Sequence, residues 1–302
     1  MGVLLSQKIS LYYEMFKDID VTFTKDMIQV TGLITQQIHL KCGNDFFPCV
    51  VYTASFSGAK VVANVKTGLL AKLQTTNNFV SLRLCFREPG ETNTVTFFVS
   101  ARVVSNVPYG NSQDVNMFSL QFSNRPPDDF IEIMGRILDA NVNSKKRKDD
   151  RVPLTPDNLR KLNMTSTETV VFIENVPRRC ILRDLSFSGS KVIMLGVPKF
   201  LLDKEGALRL EFNDPRVAYT IKGTFIRAEA VEGKKEMVAL GINFDENAVP
   251  MGFKIRLNDM ITSVRADLIT GSEKDPHAAA AAAAPAAHNP AAPPAAKSEH
   301  KA

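Results

Sequence analysis

Histidine is scarce in this chain of 302 residues, with four in all, and three of them, His277, His288 and His300, lie near the carboxyl end. His39 is then a lone imidazole in a β-rich region, and it reads as structural: general acid–base work and metal binding both need partners placed beside the ring. Four cysteines, Cys42, Cys49, Cys85 and Cys180, show no CxxC spacing and no small disulfide framework. They read as buried thiols of a reducing cytosol. No signal peptide is evident, and no apolar run reaches the roughly 18 residues of a membrane span, so a cytoplasmic location is expected. There is no GxxxxGK[ST] phosphate loop and no GxSxG elbow, and nothing pairs a nucleophile with a base. The chain is therefore not expected to be an enzyme, and no cofactor is implied. Its formal net charge of +5 is modest, which excludes a protein that coats nucleic acid by bulk charge.

Arginine is missing from the first 82 residues, yet Lys145, Lys146, Arg147 and Lys148 stand together. Arg147-Lys148-Asp149-Asp150-Arg151 has the form RxxxR, and Asp184-Leu185-Ser186-Phe187-Ser188-Gly189 has the form DxSxxG. Guanidinium forks match phosphate oxygens and the O6 and N7 acceptors of guanine. A carboxylate accepts only from N–H groups, so it suits the donor-bearing edge of the same base. In this order and at this separation the two motifs resemble the PilZ family of cyclic di-GMP receptors. The match covers about residues 145 to 265. The resemblance implies a six-stranded β-barrel with DxSxxG on its surface and an RxxxR arm just before it. Arg147 and Arg151 would hold guanine and phosphate, Asp184 would meet guanine N–H groups, Ser186 would help fix the ligand, and Gly189 would allow close backbone approach. Lys146, just before the first arginine, lies where the family sets whether one nucleotide or a stacked pair binds, and a pair is expected. Arg179 and Arg183 also read RxxxR, but they fall on the strand that carries Asp184, so Arg178 and Arg179 are kept only as flanking contacts.

The chain is also nearly a repeat. Thr53-Ala54-Ser55-Phe56-Ser57-Gly58 aligns with the DxSxxG segment at an offset of 131, Leu82-Arg83-Leu84 with Leu208-Arg209-Leu210 at 126, and Leu120-Gln121-Phe122 with Ile242-Asn243-Phe244 at 122. Slow drift of this kind is what loop insertions and deletions leave in two copies of one fold. Runs such as 94–104 and 217–226 are rich in β-branched and aromatic residues and bounded by turn residues. After each lies a helix candidate. The first opens at Pro126-Pro127-Asp128-Asp129 and shows one apolar face of Phe130, Ile133, Met134, Ile137 and Leu138. The second runs from about Pro250 to Leu268, and Leu4 to Phe16 is a third candidate of weaker periodicity. The expected class is all-β dominated: two tandem six-stranded PilZ-like barrels, each followed by a helix, with a disordered Ala/Pro-rich tail.

The expected division is 1–141 for a barrel without the ligand motif, 142–151 for a basic linker carrying RxxxR, 152–270 for the ligand-binding barrel and 271–302 for the tail. Thr53 stands where Asp184 stands in the second copy, so the first barrel should act as a docking module. The function expected is a non-catalytic cyclic di-GMP receptor in which the linker folds around the nucleotide and shifts the barrels, a change read by a protein partner. Two-domain proteins of this build include flagellar brakes, and the arrangement is similar to spirochaete PlzA-type receptors, so motility, host adaptation or gene expression are the expected outputs. The alternative is a nucleic-acid-binding barrel using Lys145 to Lys148, although no aromatic interleaves that stretch and Asp149 and Asp150 interrupt it.

Overall fold

The computed structural model describes residues 2–87 and 90–272. The expected tail from 273 onward lies outside the described residues. Helix α1 (Gly2–Phe16) is followed by seven strands: β1 (Val21–Thr22), β2 (His39–Cys42), β3 (Asp45–Ala54), β4 (Gly58–Asn64), β5 (Phe79–Phe86), β6 (Val95–Pro108) and β7 (Val115–Phe122). Short helices α2 (Lys25–Thr31) and α3 (Leu69–Thr75) lie between them. The strand order β1-β3-β2-β5-β6-β7-β4 closes through a further β3–β4 pairing. Six strands thus make a closed barrel, and β1 is a two-residue addition beside β3. After α4 (Asp128–Lys146) the plan recurs with β8 (Val152–Pro153), α5 (Pro156–Lys161), β9 (Glu168–Ile173), β10 (Val176–Leu185), β11 (Gly189–Leu195), β12 (Glu205–Phe212), β13 (Val217–Val231) and β14 (Lys234–Phe244). Its order β11-β14-β13-β12-β9-β10-β8 closes through β10–β11. The chain then enters α6 (Met251–Ser272).

Alternation builds both cores. Inward residues of successive strands, among them Leu40, Val61, Leu82, Ala101 and Phe118 in the first barrel and Val171, Val192, Leu208, Ile221 and Leu240 in the second, are buried. Their neighbours along each strand face out. Each barrel is plugged by a phenylalanine from the helix that follows it. Phe130 of α4 meets the rings of Phe56, Phe97 and Phe122 at 5.9–6.4 Å. Phe253 of α6 meets Phe212 and Phe244 at 6.5 and 6.2 Å. The four cysteines are buried and unpaired. Burial pushes the Cys49 and Cys180 thiols up to about 12, since an apolar surround disfavours thiolate.

Residues through Ile261 form one compact unit, which contains both barrels. The helices join them. Asn143 of α4 donates to Asp139 Oδ1 at 3.0 Å and to Asn258 Oδ1 of α6 at 2.9 Å, and Asn258 donates back to Asp139 Oδ2 at 2.8 Å. Arg136 on α4 pairs with Asp259 on α6 at 2.6 Å. Asp26 of the first barrel accepts from the Met251 amide at the start of α6, at 3.0 Å. Ile255 of α6 is buried in the first barrel's core cluster.

Candidate functional site

The site begins where α4 ends. Asn143 O accepts the Arg147 amide at 2.8 Å, so Arg147 caps the helix. The helix runs through Lys146, which makes the first half of the expected linker helical and places Lys145 and Lys146, both exposed, in its last turn. Cations there complement the helix dipole, which offsets part of their mutual repulsion. On neighbouring α6, Lys254 sits below the ordinary lysine range, first because it is half-buried, with the positive charge of Lys145 adding to the shift.

Residues 147–151 then cross to the second barrel as a strap. Val152 and Pro153 pair with Leu185 and Asp184 on β10. A bulge in β10 between Leu182 and Asp184 displaces the register just before the motif and turns the Asp184 side chain to the strap. Its Oδ1 accepts from Arg151 Nη1 at 2.7 Å and from the Lys191 amide at 2.9 Å. The Arg151 side chain is 50% exposed and that of Asp184 18%, so this ion pair is half in water. Arg147 is half-buried, and its side chain makes no hydrogen bond or ion pair among the described residues.

The turn itself is held from within. Ser186 is fully buried, and its Oγ donates to Gly189 O at 3.0 Å. From that position it holds the turn together from within. Gly189 is likewise needed by the barrel, because a Cβ there would lie 2.2 Å from Ile242 O. Gly58 in the first barrel has the same constraint against Leu120 O, at 2.4 Å. Ser188, which the sequence reading passed over, reaches the strap twice: its amide donates to Lys148 O at 3.1 Å and its Oγ to Asp149 Oδ1 at 3.0 Å. Arg178 and Arg179 pair with Val171 and Val170, five or six residues from Asp184, which at about 3.3 Å per residue is some 17–20 Å away.

The first barrel carries the same construction without the two arginines and the carboxylate of the turn. At the constant offset of 131, Phe16-Lys17-Asp18-Ile19-Asp20 matches the strap, and β1 pairs with β3 as β8 does with β10. The correspondence extends to helix caps: Thr24 accepts from the Met27 amide and Thr155 from the Asn158 amide, both at 3.3 Å. Phe16, buried, replaces Arg147; Asp20 replaces Arg151; Thr53 replaces Asp184. The Thr53 Oγ1 is buried without a hydrogen-bond partner. Among the described residues no group of three or more His, Cys, Asp or Glu side chains could hold a metal ion, and no helix is long and apolar enough to cross a membrane.

A family model for the PilZN3 domain matches residues 7–141. A Treponema denticola protein named cyclic di-GMP binding protein is 38% identical over 276 residues, which is 91% of this chain and 88% of that one. The chain belongs to the PilZ family. The PilZN3 match begins in α1 and ends in α4, so it takes in the barrel that lacks the arginine pair. Solved structures to which the chain is similar include that of Borreliella burgdorferi PlzA in complex with c-di-GMP, at 22% identity, covering 85% of this chain and 99% of that one with a TM-score of 0.39. Another is Escherichia coli YcgR in complex with c-di-GMP, at 11% identity, covering 89% and 94% with a TM-score of 0.29. The Treponema denticola relative carries a name for what it binds rather than for a reaction.

Proposed function

We propose that this chain is a non-catalytic cyclic di-GMP receptor that holds the nucleotide between the strap 147–151 and the turn 184–189. One observation carries the reading: Arg151 pairs with Asp184 at the turn of the second barrel and Arg147 stands four residues earlier on the same strap, while the same framework in the first barrel bears Phe16, Asp20 and Thr53. The name of the Treponema denticola relative supports the choice of ligand. In the free protein Arg151 occupies Asp184. A half-exposed pair of this kind is worth about 0–1 kcal/mol. Charge-assisted bonds to the ligand are worth roughly 1.5–3 kcal/mol each. The exchange therefore favours the ligand: guanine N–H groups go to Asp184, and phosphate or guanine O6 and N7 go to Arg147 and Arg151. Lys146 adds positive charge at the rim, and Ser186 and Gly189 keep the turn in shape.

The strap is already seated before the ligand arrives, through Ser188 and the β8 pairing. The ligand is spared much of the ordering cost of about 1–2 kcal/mol per residue. The output then lies in α4. Arg147 caps that helix, and one turn earlier Asn143 bonds Asn258 across to α6. Pulling Arg147 onto a phosphate loads the contact that joins the barrels and changes their relative placement, which a protein partner reads to adjust motility, host adaptation or gene expression. Calorimetric titration tests the binding: the wild-type chain takes up cyclic di-GMP, and Arg147→Ala and Arg151→Ala abolish uptake while circular dichroism is unchanged. Undiminished affinity in both variants refutes the site. Small-angle scattering at saturating ligand tests the output, and superimposable free and bound profiles refute the rearrangement.

A further inference from the structure

Asp149 sits between the two arginines of the strap, where its negative charge opposes an incoming dianionic ligand. A carboxylate at that place needs a reason. The geometry points to one: we propose that Asp149 and Ser188 form a clasp that fixes the path of the strap, making both positioning residues for the nucleotide. This rests on the cyclic di-GMP reading of the site.

The clasp has two strands. Ser188 Oγ donates to Asp149 Oδ1 at 3.0 Å, and the Ser188 amide donates to Lys148 O at 3.1 Å. Ser188 is 9% exposed and belongs to the turn that holds Ser186 and Gly189. Its own carbonyl accepts the Phe244 amide at 2.7 Å, so it is tied to β14 as well. The strap's midpoint is thereby locked to the barrel wall rather than to a mobile side chain. Arg151 is separately fixed by Asp184, and Arg147 by the end of α4. With both ends and the middle held, the separation of the two guanidinium stems is set in the free protein. In the first barrel Asp18 and Ser57 occupy the matching places, the Lys17 carbonyl is met by the Phe56 amide at 3.1 Å, and the two serines of the turn touch as they do in the second barrel, but no hydrogen bond joins Ser57 to Asp18 among the described residues. The side-chain strand of the clasp accompanies the arginines and is missing from the first barrel, which keeps only the backbone strand.

Charge and position predict opposite signs, which makes the test sharp. Removing a carboxylate near an anion site strengthens binding if charge alone matters. If the clasp matters, Asp149→Ala weakens cyclic di-GMP binding, by about tenfold for the loss of one hydrogen bond of roughly 1.4 kcal/mol. Ser188→Ala does the same. Asp149→Asn retains an acceptor for the Ser188 hydroxyl and keeps affinity within about threefold of wild type or better. Titration calorimetry on the full chain reads the affinities. Hydrogen exchange in the ligand-free proteins reads the strap directly: amides of 148–151 exchange faster in Asp149→Ala and Ser188→Ala, and near the wild-type rate in Asp149→Asn. If Asp149→Ala and Ser188→Ala bind as tightly as wild type, or more tightly, the clasp is overturned while the receptor reading stands. If the wild-type chain does not bind the nucleotide at all, both fall.

Discussion

Asp184→Asn separates a residue that holds the fold from one that holds the ligand. The carboxylate accepts the Lys191 amide at 2.9 Å and pairs with Arg151 at 2.7 Å. Asparagine is nearly the same shape, and its amide oxygen can still take the Lys191 proton. What disappears is the charge. With the Arg151 side chain half in water, the pair contributes about 0–1 kcal/mol, so the melting temperature falls by about 4 °C at most. Binding should suffer far more. Two guanine N–H donors lose a charged acceptor, each such bond being about twice as strong as its neutral counterpart. At about 1 kcal/mol apiece the loss is near 2 kcal/mol, or roughly 30-fold in Kd. The assays are a thermal melt and a calorimetric titration on the same preparation. An unchanged Kd beside a modest drop in melting temperature would mean that Asp184 serves only to dock the strap. A collapse of the melt would mean that the pair is structural in a way its exposure does not allow.

Three further outcomes concern the scaffold. Thr53→Val deletes a buried hydroxyl that lacks a partner and raises the unfolding free energy by about 1 kcal/mol in urea titration; a loss of that size would show that the hydroxyl is satisfied. Phe130→Ala removes the plug of the first barrel and costs about 3–5 kcal/mol in the same assay; a cost under 1 kcal/mol would contradict its place at the centre of the ring cluster. The Cys49 and Cys180 thiols are raised to about 12 in the folded chain from an ordinary value of 9.0. A group raised on folding stabilises below its unfolded pKa and loses that contribution as pH climbs. Stability should therefore hold through neutral pH and decline from about pH 9 toward 12, with a shallower decline in Cys49→Ala/Cys180→Ala than in wild type, since burial also raises the Tyr12 and Tyr219 hydroxyls; equal slopes would show that the thiols contribute nothing.

The barrels were legible because alternation is a strong signal. Strands at 95–108 and 217–231 extend the runs seen at 94–104 and 217–226, and the apolar face from Phe130 to Leu138 became the buried side of α4. Two features escaped. The helical state of residues 142–146 was hidden by four adjacent cations, which read as a repelling linker until their place at a helix C-terminus supplies the compensation. The strap's recurrence in the first barrel was hidden because the two residues that define RxxxR are the ones replaced, by Phe16 and Asp20, while Lys17, Asp18 and Val21 persist. Asp149 was read as an interruption of a basic run, and only its 3.0 Å contact with Ser188 gives it a task. A side chain that acts across 39 positions of chain leaves no periodic trace in the sequence.

The most direct test is an experimental structure of the full chain crystallised with cyclic di-GMP. The nucleotide should lie against the second barrel, with Arg147 and Arg151 on its phosphates or guanine faces and Asp184 on guanine N–H groups, and the first barrel's Phe16, Asp20 and Thr53 should bear nothing. Nucleotide seated on the first barrel, or a bound state with Arg147 and Arg151 both pointing into solvent, would contradict the account.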